Sequence, residues 1–411
     1  MKETNRREFI QQTTGTMAAI ALIPSLESLA FMTLAEPIKV ALIGAGRQGR
    51  AILGELQKID GVTVSAICDV VPSRLSSGLR RAKNAKGYNN HVELLEKSDN
   101  VVAVFIATPT HLHADIAIDC LEAGKHVYCE APLASSVEDC KRIVKAARNA
   151  NTVFHCGMQS RSNPIYKLAR SFVRTDAVRD LIAITGQYHR KTSWQTPSRD
   201  PVYRKLLNWR LDPEVSIGLA GEFGTHQFDA MNWFANAYPI SVTGHGAVRL
   251  WKDGRKIPDT VLCSMRYANG LQMQYNATIC NSFESRTETF LGSMAAVKLS
   301  WTSGWMFKEA DAPTQGWEVY AFREQFHNEE GIVLIADATK LASQGKLKKG
   351  VGLPFPPLYY SLVDFFKSIT EEKPPVCTAE EGMRGAVIGI MANKAITEGK
   401  EVNIPTVSET E

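Results

Sequence analysis

The chain has 411 residues, with 47 Lys and Arg against 43 Asp and Glu for a formal net charge of +4, a mild excess that excludes the strongly basic footprint of a nucleic-acid binder. Its composition, 44% hydrophobic and 22% charged, excludes a disordered chain and is that of a globular protein. At roughly 150 residues per domain, the length implies two domains.

Residues 1–35 read as a targeting leader. Asn5-Arg6-Arg7-Glu8-Phe9-Ile10 is a twin-arginine signal, and the apolar run from Met17 to Leu26 is too short to span a bilayer. Thr33-Leu34-Ala35 offers small residues for cleavage. The leader predicts a periplasmic or secreted protein, handled by the twin-arginine export machinery and with no stable membrane insertion once the leader is removed.

Ile38 to Ile43 is an apolar run of strand length, followed by Gly44-Ala45-Gly46-Arg47-Gln48-Gly49 and a helical pattern over Arg50 to Ile59. A second strand, Val62 to Cys68, ends at Asp69, roughly 20 residues past the last glycine. Strand, glycine turn, helix, strand and acid in this spacing form a dinucleotide fingerprint: the glycines let the backbone approach a pyrophosphate and the helix N-terminus meets its charge. Gly44, Gly46, Arg47, Gln48 and Gly49 are therefore cofactor-binding candidates. Asp69 would accept the ribose hydroxyls and repel a 2′-phosphate, which favours NAD over NADP.

The alternation continues with a strand at Val101 to Ala107, a helix at Ala114 to Ala123, a strand at His126 to Cys129, a helix at Val137 to Asn149 and a strand at Val153 to Gly157. This predicts a doubly wound parallel sheet over residues 36–157. Thr108-Pro109-Thr110 ends one strand at the carboxyl edge, where such sheets bind ligands, with Thr108 and Pro109 as cofactor-binding candidates.

From residue 158 to 357 the texture changes to longer strands: Leu181 to His189, Ile240 to Leu250, Val261 to Tyr267, Leu271 to Ala277 and Thr287 to Leu291. Asn269-Gly270 between two of them signals a hairpin. A mostly antiparallel α+β domain follows from this pattern, with a helix from Thr225 to Ala235. Helices at Leu358 to Thr370 and Ala379 to Glu398 are expected to pack back on the first domain. The eight cysteines contain no Cys-x-x-Cys pair and read as buried thiols. His111, His155 and Cys156 form no metal set, and no metal is expected.

Tyr188, His189 and Arg190 end a predicted strand, and Trp209 and Arg210 lie close together in sequence. Aromatic rings and guanidinium forks suit a sugar, as apolar platform and donors to vicinal hydroxyls.

Ala107-Thr108-Pro109-Thr110-His111-Leu112-His113, the run Ala123 to Pro132, Gln159-Ser160-Arg161, Asn208-Trp209-Arg210, Gly224-Thr225-His226-Gln227-Phe228-Asp229 and Thr378-Ala379-Glu380-Glu381-Gly382, together with the fingerprint, resemble the glucose-fructose oxidoreductase, inositol dehydrogenase and rhizopine-catabolism (Gfo/Idh/MocA) family. The resemblance implies a Rossmann domain, an open sheet domain and an active site in the cleft between them, with self-association through the open sheet. It also places His113, Gln159 and Glu130 with the cofactor. His226 becomes the general base, and Glu222, where the family usually has aspartate, its partner. Asp229, three residues on, would contact substrate or fix His226.

One departure bears on the chemistry. The family typically reads Glu-Lys-Pro where this chain has Glu130-Ala131-Pro132, so its customary active-site lysine is absent. Three functions fit this pattern. The first is an exported oxidoreductase on a sugar, glycoside or polyol hydroxyl, with a tightly held cofactor recycled in place because the export compartment has no free pool. The second is a redox-neutral glycoside hydrolase or lyase working through C3 oxidation and elimination. The third is a non-catalytic sugar-binding relative.

Overall fold

The structure is a computed structural model that describes residues 36–406; the predicted leader lies outside the described residues. β1 (Ile38–Ile43), β2 (Val62–Cys68), β3 (Lys86–Tyr88), β4 (Ala103–Ile106), β5 (His126–Cys129) and β6 (Phe154–Cys156) form one sheet in the order β3-β2-β1-β4-β5-β6. Every pairing is parallel. Helices cover both faces, so central strands are continuous apolar runs; Ala-Val-Phe-Ile of β4 is buried throughout. The strand order reverses between β1 and β4, which opens a crevice at their carboxyl ends.

This is the doubly wound sheet that the alternation implies. The reading passed over β3 and the flanking helices Pro72–Leu79 and His91–Lys97, because β3 has three residues, two of them exposed, and shows no periodicity.

The second sheet contains β7 (Leu181–His189), β8 (Pro239–Ala247), β9 (Thr260–Tyr267), β10 (Gln272–Thr278), β11 (Arg286–Gly292), β12 (Ala295–Ser300), β13 (Ser303–Lys308), β14 (Arg323–Gln325), β15 (Glu330–Val333) and β16 (Val402–Asn403). Their order is β14-β15-β13-β12-β11-β7-β10-β9-β8-β16. The one parallel pairing described is β7 with β10, so the sheet is mostly antiparallel, as expected. β9 and β10 are joined at Asn269-Gly270, where Gly270 takes φ 84. β12 to β15 fill a stretch to which the sequence reading assigned no elements.

Inward residues of the second sheet pack under the helix Gly218–Ala235, which crosses β7, β10 and β9. That helix begins seven residues before the predicted Thr225, and His226 is therefore in its middle and not at its start. Gly218, Gly221 and Gly224 disguised the first turns, since glycine disfavours an isolated helix; contact with the helix Ala379–Glu398 restores them.

The two C-terminal helices take different places. Pro357–Thr370 lies on the first sheet, with Phe365 and Phe366 at 5.4 and 5.9 Å from the Phe105 ring. Ala379–Glu398 touches the first domain at Val137–Asn149 but packs more extensively against Gly218–Ala235 and β8. Its start is a capping box in which Thr378 and Glu381 bond each other's backbone N–H, at 2.9 and 3.3 Å.

Candidate active site

Between the carboxyl ends of the first sheet and the helix Gly218–Ala235 lies a cleft of about 690 Å³. In its first half, Gly44 takes φ +95, and a Cβ there would stand 2.6 Å from Ala107 O. Only glycine lets the turn after β1 pass the end of β4. A Cβ at Gly49 would lie 1.8 Å from Gly44 O, so the following helix, Arg47–Leu56, abuts the turn. Gly46 caps that helix without any side-chain bond. The first-turn N–H groups have no intrahelical acceptor, and they face a cleft lined by Gly46, Arg47 and Gln48. This cradle fits a dinucleotide pyrophosphate.

At the end of β2, Asp69 accepts one bond from Ala45 N and another from Val71 N, each at 2.8 Å. Each carboxylate oxygen retains a second lone pair for a ribose hydroxyl. Burial holds this carboxyl above its ordinary value, opposed by the two N–H donors and Arg74. Gln48 Nε2 donates to Glu130 Oε1 at 2.8 Å, tying the helix to the end of β5. Glu130 is pushed up to about 7 by burial. Thr108, Pro109 and Gln159 also line this half.

His113 also lines the cleft, but its ring nitrogens face Pro132 O and Thr108 O, both at 3.0 Å. It joins the turn after β4 to the turn after β5, which makes it a strut of the rim.

The second half is built from well-separated segments. Tyr188 stacks on Phe223 at 4.1 Å and 24°, and Trp194 meets the same ring edge-on at 5.3 Å. The Arg210 guanidinium lies 4.3 Å from the Trp209 ring and 5.9 Å from that of Trp194. On the opposite wall, Arg286 sits 3.7 Å over Trp301. Its Nε donates to Glu288 Oε1 at 3.3 Å and its Nη2 to Ser160 Oγ at 3.1 Å.

Glu222 and His226 stand one turn apart on the same helical face. Glu222 is 5% exposed. Its Oε2 meets Thr110 Oγ1 and Arg210 Nε, each at 3.4 Å, and its Oε1 has no partner. Burial pushes the carboxyl up to about 7, with Arg210 and Thr110 opposing. His226 is pushed down to about 3, first by burial and then by the Arg286 charge, and its Nδ1 has no partner. At neutral pH its ring is uncharged.

Two predicted substrate residues lie elsewhere. Asp229 accepts from Arg161 Nε at 2.9 and 3.1 Å and from Nη2 at 2.9 Å, and Arg161 also binds Glu381. Asp229 therefore holds the fold around Arg161 and does not reach the cleft. His189 bonds Phe283 O at 3.0 Å through Nδ1, and Asn276 through Nε2, which fixes the loop before β11. Alternation along β7 turns it away from the face that carries Tyr188. Thr110, read with Thr108 and Pro109 at the carboxyl edge, lines the cleft as expected, whereas sequence reading missed Trp194, Phe223, Arg286 and Trp301. Trp194 and Trp301 sit in irregular turns at φ 61 and 53, and no local signal marks them. Among the described residues no group of His, Cys, Asp and Glu could hold a metal ion, and seven of the eight cysteines are buried.

Two family models match: the Gfo/Idh/MocA oxidoreductase family NAD-binding Rossmann fold over residues 38–158, and the family's C-terminal alpha/beta domain over residues 180–404. The chain is similar to inositol 2-dehydrogenase of Salmonella typhimurium, 27% identical over 205 residues, 48% of this chain and 55% of the relative. It thus spans about half the length of that curated relative. A glycosyl hydrolase family 109 protein of Shewanella pealeana is 29% identical over 233 residues, half of each chain. In three dimensions the chain resembles a levoglucosan dehydrogenase solved with NADH and L-sorbose, with TM-score 0.72, 20% identity, and 90% of this chain and 100% of that one covered. Two family models that together span most of the described residues, and a cradle that fits the cofactor, show that the chain belongs to the Gfo/Idh/MocA oxidoreductases, with an NAD-binding Rossmann domain.

Proposed function

We propose that this protein is an exported NAD-dependent oxidoreductase acting on a carbohydrate or polyol hydroxyl, with its cofactor held tightly and recycled in place by a second substrate. The observation that carries the reading is a set of buried polar atoms without protein partners, Thr108 Oγ1, Glu222 Oε1 and His226 Nδ1, all in residues lining the cleft. Other buried polar atoms among the described residues also lack partners, but these three gather in one cleft, where hydroxyls of a bound cofactor and substrate would pair them. The relatives named for inositol and levoglucosan support that substrate class.

Bound NAD supplies the hydride acceptor. Glu222 takes the hydroxyl proton on Oε1, while Thr110 and Arg210 hold Oε2; its value near neutrality suits a general base. His226, uncharged, orients the same hydroxyl through its ring nitrogen. Tyr188, Phe223, Trp194 and Trp209 offer apolar platforms to the sugar ring and displace water. The twin-arginine leader supports export to the periplasm or beyond.

A second reading, redox-neutral glycoside cleavage, is favoured by Ala131, which lines the cleft where the family carries lysine, and by the similarity to the family 109 glycosyl hydrolase. One experiment separates the two. The purified mature protein is denatured to identify its nicotinamide, then native protein is offered polyols, sugars and aryl glycosides while reduced-cofactor absorbance and aglycone release are followed together. Absorbance change without aglycone supports the dehydrogenase, and aglycone without net absorbance change supports the glycosidase. Protein that neither contains nor binds NAD or NADP sinks both.

The ten-stranded sheet leaves Ile182, Leu262 and Leu291 exposed on β7, β9 and β11, which supports self-association through that sheet.

A further inference from the structure

The substrate half of the cleft carries more positive charge than its carboxylates balance. Arg190, Arg210 and Arg286 all line it. Arg210 is paired with Glu222 at 3.4 Å. Arg286 is backed by Glu288, which is fully buried behind it. Arg190 makes no side-chain hydrogen bond or ion pair among the described residues; its backbone N–H, bonded to Thr278 O at 2.9 Å, fixes its place past the end of β7.

Sheet register brings two of these groups together. Arg286 pairs with Tyr188 across β7 and β11, so Arg190, two residues beyond Tyr188, is its diagonal neighbour on the same face. Such neighbours have Cβ atoms within about 7–8 Å of each other, a span that two long guanidinium side chains close around one planar anion. Arg286 has Nε and Nη2 engaged with Glu288 and Ser160, and its Nη1 makes no hydrogen bond within the described protein. Trp301, 3.7 Å from the guanidinium, holds the fork flat. A rigid fork with a free N–H next to an unpaired guanidinium is the arrangement that recognises a carboxylate.

We infer that the cleft is built for a sugar acid, a uronate-type carbohydrate whose carboxylate is received by Arg190 and Arg286 while a ring hydroxyl meets Glu222. The inference rests on the carbohydrate reading above and narrows its substrate class. Neither arginine takes a proton in the reaction; they fix which end of the sugar enters.

The test uses the full mature protein saturated with NAD. Binding of D-glucuronate and D-galacturonate is measured by calorimetry against their neutral amides and against the parent hexoses, on the native chain and on Arg190→Gln, with NAD affinity read alongside. Arg190 anchors no other side chain, which makes its replacement a clean probe. At least one acid should bind ten times or more tighter than its amide, and Arg190→Gln should erase that preference while still binding NAD. If no acid exceeds its amide, or if the preference survives in Arg190→Gln, the inference is overturned. Tight binding of neutral sugars with hydride transfer would overturn it and leave the oxidoreductase reading standing. Absence of binding by every carbohydrate and polyol offered would remove both.

Discussion

The helix Gly218–Ala235 carries two acids, one on either side of His226 in sequence, that burial alone does not distinguish. Glu222 is 5% exposed and Asp229 is 3% exposed. Asp229 accepts three hydrogen bonds from one guanidinium, at 2.9 to 3.1 Å, and is a closed, structural unit. Glu222 has two contacts at 3.4 Å on one oxygen and nothing on the other. A buried charge without partners is unfavourable, and Glu222 meets that cost by holding its proton up to about 7. The difference between strut and site is thus in the partners and not in the depth.

The widest separation of the two should appear in turnover. Glu222→Gln keeps the shape of the side chain and removes the base, and hydride transfer should fall by about 10²–10⁴-fold, with the thermal midpoint held or raised because a buried ionisable group is gone. Retained turnover in that variant would erase the distinction. Asp229→Ala should do the reverse. It leaves Arg161 with Glu381 alone, and loss of one partner of a buried pair costs roughly 3–5 kcal/mol. Denaturant unfolding should register that loss, while the turnover per folded molecule stays within severalfold of the native value. A stability unchanged by Asp229→Ala would show that the Arg161 contact is dispensable.

The same contrast explains what could be read from the sequence. The cofactor half was legible because its chemistry is local: Gly44, Gly46 and Gly49 lie within six residues of one another, and Asp69 closes the next strand. The substrate half was only partly legible. Glu222 and His226 share one helix and one motif, but Arg286 reaches the cleft through its register with Tyr188, and Trp301 through the turn between β12 and β13, whose carbonyl accepts from Asn163 Nδ2 at 2.6 Å. Asp229 looked like a substrate residue because its partner, Arg161, is 68 positions away. Alternation and spacing describe neighbours in the chain, and these pairings are made by the sheet.

The smallest effect, and the sharpest on which group moves the proton, is the pH profile. Glu222 accepts a proton only when ionised, so kcat/KM should rise about tenfold per pH unit below the carboxyl's pKa and level off above it. That pKa is about 7. Were His226 the base, with its value near 3, the profile would be flat through the neutral range. Glu130 also sits at about 7 in the same cleft, and a neutral break alone does not name its owner. The variants do. Glu130→Gln removes a carboxylate whose contact is Gln48 on the cofactor side, and it should weaken NAD binding but keep the break. Glu222→Gln should lose the break along with most of the rate. If the break disappears in Glu130→Gln and persists in the residual activity of Glu222→Gln, the proton passes on the cofactor side of the cleft and the role given to the unpartnered Oε1 is wrong.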